Sequence, residues 1–164
     1  MKFFTRAWLE GRLTDDQYRH TVTLYRRHLT QISPKLNPHL LDYLQRANLH
    51  DGRVRKIMVD PANATLQVDL RCGDLQVGYY DLDIEYQGVQ LEQSALDTLA
   101  RVAQLGGEVL RDELDLGTAG IFIQRIIFAT HEEVALSFRD MRFRKTAQTG
   151  RDFSSGPGKF TLIH

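Results

Sequence analysis

Val54-Arg55-Lys56-Ile57-Met58-Val59-Asp60-Pro61-Ala62-Asn63-Ala64-Thr65-Leu66-Gln67-Val68-Asp69-Leu70-Arg71 is the stretch that decides the fold. Val54, Lys56 and Met58 alternate with Arg55, Ile57 and Val59, and Leu66, Val68 and Leu70 alternate with Gln67, Asp69 and Arg71. A period of two puts successive side chains on opposite faces of a strand, so each run reads as a half-buried strand. Asp60-Pro61-Ala62-Asn63 between them is turn chemistry, because Pro pre-sets φ and Asx side chains bond their own backbone.

C-terminal to this pair the same alternation continues. Cys72-Gly73-Asp74 turns the chain into a run beginning at Leu75, in which Leu82, Ile84 and Tyr86 alternate with Asp81, Asp83 and Glu85. Ser94 to Gln104 carries Leu96, Leu99, Ala100 and Ala103 at helical spacing and stops at Gly106-Gly107. Strands resume over 108–115, 121–129 and 133–143, giving six or seven strands in a meander with one inserted helix.

N-terminal to the pair the period is 3.6. Thr14-Asp15-Asp16-Gln17 is a capping box, with two carboxylates at the positive end of the helix dipole. Tyr18, Val22, Tyr25 and Leu29 form one stripe beyond it, and Pro34 stops the helix at Ser33. Asn37-Pro38 opens a second helix carrying Leu40, Leu41, Tyr43 and Leu44. Phe3, Phe4, Trp8 and Leu9 read as a hydrophobic clip on these helices. From Thr146 the composition falls to Gln, Thr, Ser, Gly and Arg. The expectation is one α+β domain over 1–145, with a helical unit (1–50) packed on a mainly antiparallel sheet (51–145) and a mobile tail over 146–164.

The chain has 164 residues, 42% hydrophobic and 26% charged, which excludes a disordered composition. Its longest apolar run, Ile126 to Ala129, is far short of the ~20 residues a bilayer helix requires, so no membrane partner is expected. No signal-peptide h-region follows Met1, and the single cysteine, Cys72, fits a reducing compartment, so the expected location is cytoplasmic.

Twenty-one Lys/Arg balance twenty-one Asp/Glu, but unevenly along the chain. Residues 1–58 sum to +6, residues 59–139 to −9 and residues 140–164 to +3. If the central carboxylates share a surface, it would steer a basic partner. The candidate partner-binding residues are Asp81, Asp83, Glu85, Asp112, Glu113 and Asp115, with Tyr79, Tyr80 and Tyr86 as anchors. A plain solvated sheet face is the competing reading. Asp112-Glu113-Leu114-Asp115 also admits a metal-dependent enzyme, with Glu113 and Asp115 on one strand face and Asp112 opposite. Arg19, Arg26, Arg27 and Arg46 admit a nucleic-acid face, the weaker expectation because a helix also needs solvent-facing charge. The histidines lack metal-ligand spacing, Cys72 has no activating neighbour, and no cofactor is expected.

Met1-Lys2-Phe3-Phe4-Thr5-Arg6-Ala7-Trp8-Leu9 resembles the opening of small bacterial proteins that begin Met-Lys-Phe-Phe-Thr-Lys-Glu-Trp. Tyr79 to Val89, Val109 to Leu114, Arg125 to Phe128 and Glu133 to Asp140 are similar to their second half, with Gln124 where those proteins carry His. Some similar proteins are immunity proteins found beside secreted toxins. The resemblance implies a non-enzymatic protein-binding module, in its sharpest form an immunity protein neutralising a basic toxin through an acidic sheet face. A homo-oligomer built through the C-terminal segment stays open.

Overall fold

The structure, a computed structural model, describes residues 1–149 and 157–163. Helices α1 (Arg6–Leu9), α2 (Asp15–Ile32) and α3 (Pro38–Arg46) precede strands β1 (Arg53–Asp60), β2 (Thr65–Asp74) and β3 (Gly78–Gln87). Helix α4 (Gln93–Leu105) separates these from β4 (Val109–Leu116), β5 (Phe122–Phe128), β6 (Glu133–Phe138), β7 (Asp140–Gln148) and β8 (Lys159–Leu162). The class is the α+β expected, with the inserted helix in place.

Local signals set the helix ends. The Thr14 hydroxyl accepts from the Gln17 N–H, and the Gln17 side chain accepts from the Thr14 N–H at 3.0 Å. Asn37 accepts from Leu40 N–H at 2.9 Å with Pro38 at the first helical position, where a missing N–H costs nothing. Gly106 ends α4 in the left-handed region at φ 58°, a conformation free of Cβ strain in glycine.

A five-stranded sheet has the order β7-β3-β2-β1-β8, and a three-stranded sheet the order β4-β5-β6. Val54, Ile57 and Val59 of β1, the even-numbered residues 66–72 of β2 and the even-numbered residues 80–86 of β3 are buried between the sheets. They meet Phe122, Ile126 and Phe128 of β5, Val134, Leu136 and Phe138 of β6, and Leu99, Val102 and Ala103 of α4 in one continuous core. The expected single strand over 133–143 is two strands in different sheets. The Arg139 N–H donates to the Gln87 carbonyl at the corner, and β7 then pairs along β3 from Gln87↔Asp140 to Tyr79↔Gln148.

The mobile tail expected from 146 requires correction. Thr146 to Gln148 complete β7, and Lys159–Leu162 form β8, parallel to β1 with Ile57↔Phe160 and Val59↔Leu162 in register. Phe160 and Leu162 pack against the core, and β8 covers the edge of β1 and becomes the edge strand itself. Residues 150–156 and 164 lie outside the described residues. No helix among the described residues is long and apolar enough to cross a membrane.

The N-terminal clip forms as expected. Phe4 and Trp8 are buried, with rings 4.7 Å apart, and Trp8 stacks on Tyr18 at 4.3 Å. Helix α2 is fastened to the free edge of β4, where the Leu114 N–H donates to the Tyr25 hydroxyl at 2.8 Å. An edge strand's outward N–H thereby acquires a partner.

Candidate functional site

The period of two divides β3 in a way that splits the expected site. Tyr79, Asp81, Asp83 and Glu85 lie on the outer face of the large sheet, while Tyr80 and Tyr86 point into the core. Those two tyrosines are therefore corrected from anchors to core residues. Tyr80 donates to the Asn48 carbonyl at 2.9 Å, and Tyr86 donates to Gln124 Oε1 at 2.8 Å. Burial pushes the Tyr80 hydroxyl up to about 12.

The outer stripe exists but its charges are matched across the strands. Asp83 lies opposite Arg144, and Glu85 opposite Arg142, on β7. The Arg144 Nη2 is 2.7 Å from Asp83, Arg71 Nε is 2.6 Å from Asp81 and Arg55 Nη1 is 3.2 Å from Asp81. Opposite charges facing across a ladder stabilise the sheet locally and cancel its outward field. The +6, −9 and +3 segments thus interleave in space. Asp69 is the exception: one of its oxygens is buried without a partner, and burial, reinforced by Asp83, raises its carboxyl above the ordinary range.

The three β4 carboxylates divide as the alternation requires, and the structure gives each a different job. Glu113, 1% exposed, accepts the backbone N–H groups of Lys2, Phe3 and Phe4 at 2.7, 2.6 and 2.6 Å. It is corrected from a partner contact to the anchor of the N-terminal clip. Asp115 lies 3.3 Å from Lys2 Nζ, 3.1 Å from His28 Nε2 and 3.2 Å from Arg125 Nη1. Burial acts to raise its carboxyl, and hydrogen bonds from the Leu116 N–H, Lys2 and Arg125 overcome that and hold it below the usual range. Asp112 faces the other way. These three do not converge, and among the described residues no group of three or more His, Cys, Asp or Glu is placed to hold a metal. The metal centre expected at Asp112/Glu113/Asp115 is therefore set aside on geometry.

The nucleic-acid face is also partly consumed. Arg19 pairs with Asp16 at 2.8 Å and Arg46 with Asp42 at 3.0 Å, each within its own helix.

Two features lay outside the expected site. The first is the β2–β3 hairpin tip. Leu75 and Val77 are 91% and 73% exposed. The turn is held by Asp74 Oδ1, which accepts the N–H groups of Gln76 and Val77 at 2.7 and 2.9 Å. Gly73 and Gly78 flank it at φ 92° and 80°, and a Cβ on Gly73 would run into the Gly78 carbonyl. A reading that started the next strand at Leu75 missed this because Asp74 caps a three-residue loop.

The second is a pocket of about 300 Å³ between α2, α3 and β4. Val22, Leu29, Leu44 and Ala47 supply apolar wall, and Arg26, Arg111 and Asp112 supply charge. Asp112 Oδ2 accepts from Tyr43 Oη at 3.1 Å and Gln124 Nε2 at 2.7 Å, while Gln124 Nε2 also donates to Tyr43 Oη at 2.7 Å. Burial raises the Asp112 carboxyl above the ordinary range despite these bonds and the Arg111 charge. Burial likewise raises the Tyr43 and Tyr25 hydroxyls. Gln124, 0% exposed, was visible in sequence as a polar residue in an apolar strand, but its partners were not.

Comparison with family models, with curated proteins and with solved structures found no match. The likeness to small bacterial proteins rests on the quoted residues alone.

Proposed function

We propose that this chain is a protein-binding module whose contact surface is the β2–β3 hairpin tip together with the adjoining outer face of β2, β3 and β7. The observation that carries the reading is Leu75 and Val77 standing in water on a tip stiffened by Asp74, Gly73 and Gly78. Burying an aliphatic side chain of this size is worth roughly 1.5–3 kcal/mol. A rigid turn presents such residues at little further ordering cost, which suits anchors. Tyr79, half-buried at the base of the tip, extends the apolar strip toward Asp81 and Asp83.

The partner class follows from the charges. A uniformly basic surface, as in the basic-toxin form of the reading, would meet Arg142 and Arg144 on β7 and Lys56 and Lys159 on β1 and β8 as well as the carboxylates. The surface suits a partner that inserts an apolar pocket over the tip and lays mixed charge across the strands. Immunity toward a toxin is the specific role that the resemblance supports, with a toxin whose contact surface is of that mixed kind.

The test is photo-crosslinking from positions 75, 77 and 105 in cells of the native host, followed by L75D/V77D and L105D in a binding assay with the captured protein. Leu105 is 58% exposed on α4 and serves as the control. Crosslinks confined to 75 and 77, with binding lost in L75D/V77D alone, are expected. Equal capture from position 105, or undiminished binding by L75D/V77D, would defeat the proposal.

A further inference from the structure

The pocket between α2, α3 and β4 contains two charges that the fold leaves incomplete. Every hydrogen bond that the described residues make to the Asp112 side chain falls on Oδ2, and Asp112 lines the pocket. Arg111 lines the same pocket, and its Nε is buried without a hydrogen-bond partner. Its guanidinium lies 5.4 Å from the Phe4 and Trp8 ring centroids, held by aromatic faces in place of a carboxylate. No ion pair within 4.0 Å joins Arg111 or Arg26 to an acid among the described residues. Arg111 Nε is the unsatisfied group, and Arg111 and Asp112 present opposite charges to one pocket, so a ligand that brings both signs matches both.

We infer that this pocket binds a small zwitterion of the aliphatic amino-acid class, with its ammonium on Asp112 Oδ1, its carboxylate on Arg111 and Arg26, and its side chain against Val22, Leu29 and Leu44. The size agrees: about 300 Å³ is the volume of roughly ten water molecules and the small end of ligand pockets. It admits a molecule the size of leucine. Tyr43 and Gln124 hold the Asp112 carboxyl through Oδ2, which leaves Oδ1 without a bond from the described residues and able to accept from a cation. Tyr25 and Tyr43 frame the head group, and Arg111 from β4 and Arg26 from α2 are the positive charges that face it. This site is separate from the outer sheet face, and neither reading depends on the other.

The test titrates the purified chain by calorimetry with three probes: L-leucine, 3-methylbutylamine and 4-methylpentanoate. Leucine should bind one to one, and each single-charge analogue at least about tenfold more weakly, because a charged contact is worth that or more. D112N should weaken leucine and the amine about tenfold or more while leaving 4-methylpentanoate unaffected, and R111Q should do the reverse. V22F narrows the pocket without touching either charge, and should abolish binding of leucine whatever the stability of the other variants. Absence of saturable leucine binding at about 10 mM overturns the inference. So does leucine affinity unchanged in D112N or in V22F.

Discussion

Replacing Glu113 by Ala should release the N-terminal clip without unfolding the sheets. One carboxylate, 1% exposed, accepts three backbone N–H groups at 2.6–2.7 Å. Hydrogen bonds to a charged group contribute roughly 1.5–3 kcal/mol each, so three set an upper bound of about 4.5–9 kcal/mol. The loss does not reach that bound, because the clip has an alternative to leaving three donors unsatisfied. It can peel into water. What then opposes release is the burial of Phe4 and Trp8, roughly 1.5–3 kcal/mol each, against an ordering cost of about 1–2 kcal/mol for each residue of the segment. Detachment wins, and because it caps the loss at the clip's net docking energy the expected destabilisation is about 1–3 kcal/mol for E113A. E113Q keeps the acceptor for Phe3 and Phe4 and loses the charge and the Lys2 bond, so about 1–2 kcal/mol is expected. Trp8, the chain's single tryptophan, is buried and stacked on Tyr18, so native-buffer emission reports the clip directly. E113A should shift that emission to the red, lower the urea midpoint and leave far-ultraviolet dichroism nearly intact. Unchanged emission with a stability loss under about 0.5 kcal/mol would refute the anchoring role.

Asp112→Asn should change the pH dependence of stability. Because burial raises the folded-state carboxyl, the native chain holds a proton where the unfolded chain has released it. Stability from this group therefore falls as pH rises from the ordinary aspartate range through the raised value, and D112N should gain on the wild type across that window in urea melts at stepped pH. Cys72, 1% exposed, has its thiol pushed up to about 12 by burial, so Ellman's reagent at pH 8 should label it only at the rate of opening, and fully in denaturant. A Cβ at Gly158 would sit 2.7 Å from the Ala103 carbonyl and 3.0 Å from those of Val54 and Arg55. G158A should thus lift β8 from β1, abolish amide protection at 160–162 and destabilise by about 1–3 kcal/mol. Arg144→Glu, by contrast, places a like charge against Asp83 at an exposed site and should lower the melting midpoint only slightly at low salt, and less still as salt is added.

Elements whose information is local were legible in the chain. The Thr14–Gln17 box, the Asn37-Pro38 start and the Gly106 stop each rest on residues within a few positions, and each is present. Alternation likewise placed β2 and β3, because one face of each is buried, whereas in β1 a register shift between Val54 and Lys56 buries Val54 with Ile57 and Val59 instead of opposite them. The failures are of two kinds. β8 is four residues in a Gly- and Ser-rich context, and its strand character comes from β1 offering an open parallel edge. The break at Arg139 depends on the Gln87 carbonyl, and nothing in residues 133–143 announces it.

The site was harder because charge counts along the chain carry no distances. Asp81, Asp83 and Glu85 do share a face, as their spacing required, yet the ion-pair partners Arg71, Arg55 and Arg144 come from β2, β1 and β7, and Arg142 of β7 stands opposite Glu85. Two errors were avoidable. Parity alone puts Tyr80 and Tyr86 opposite Asp81, so treating them as anchors contradicted the alternation that defined β3. Glu113 was different: its three donors stand 109 to 111 positions away in sequence, and only the fold brings them to one carboxylate. The same holds for Asp112, whose Oδ2 is occupied by Tyr43 from α3 and Gln124 from β5. Adjacent acidic residues on one strand therefore diverged into a structural clamp, an ion-pair hub and a pocket floor. What separated them was the face each occupies and the element that reached it first. Density of carboxylates in the chain predicts an acidic surface only where no second element arrives to use them.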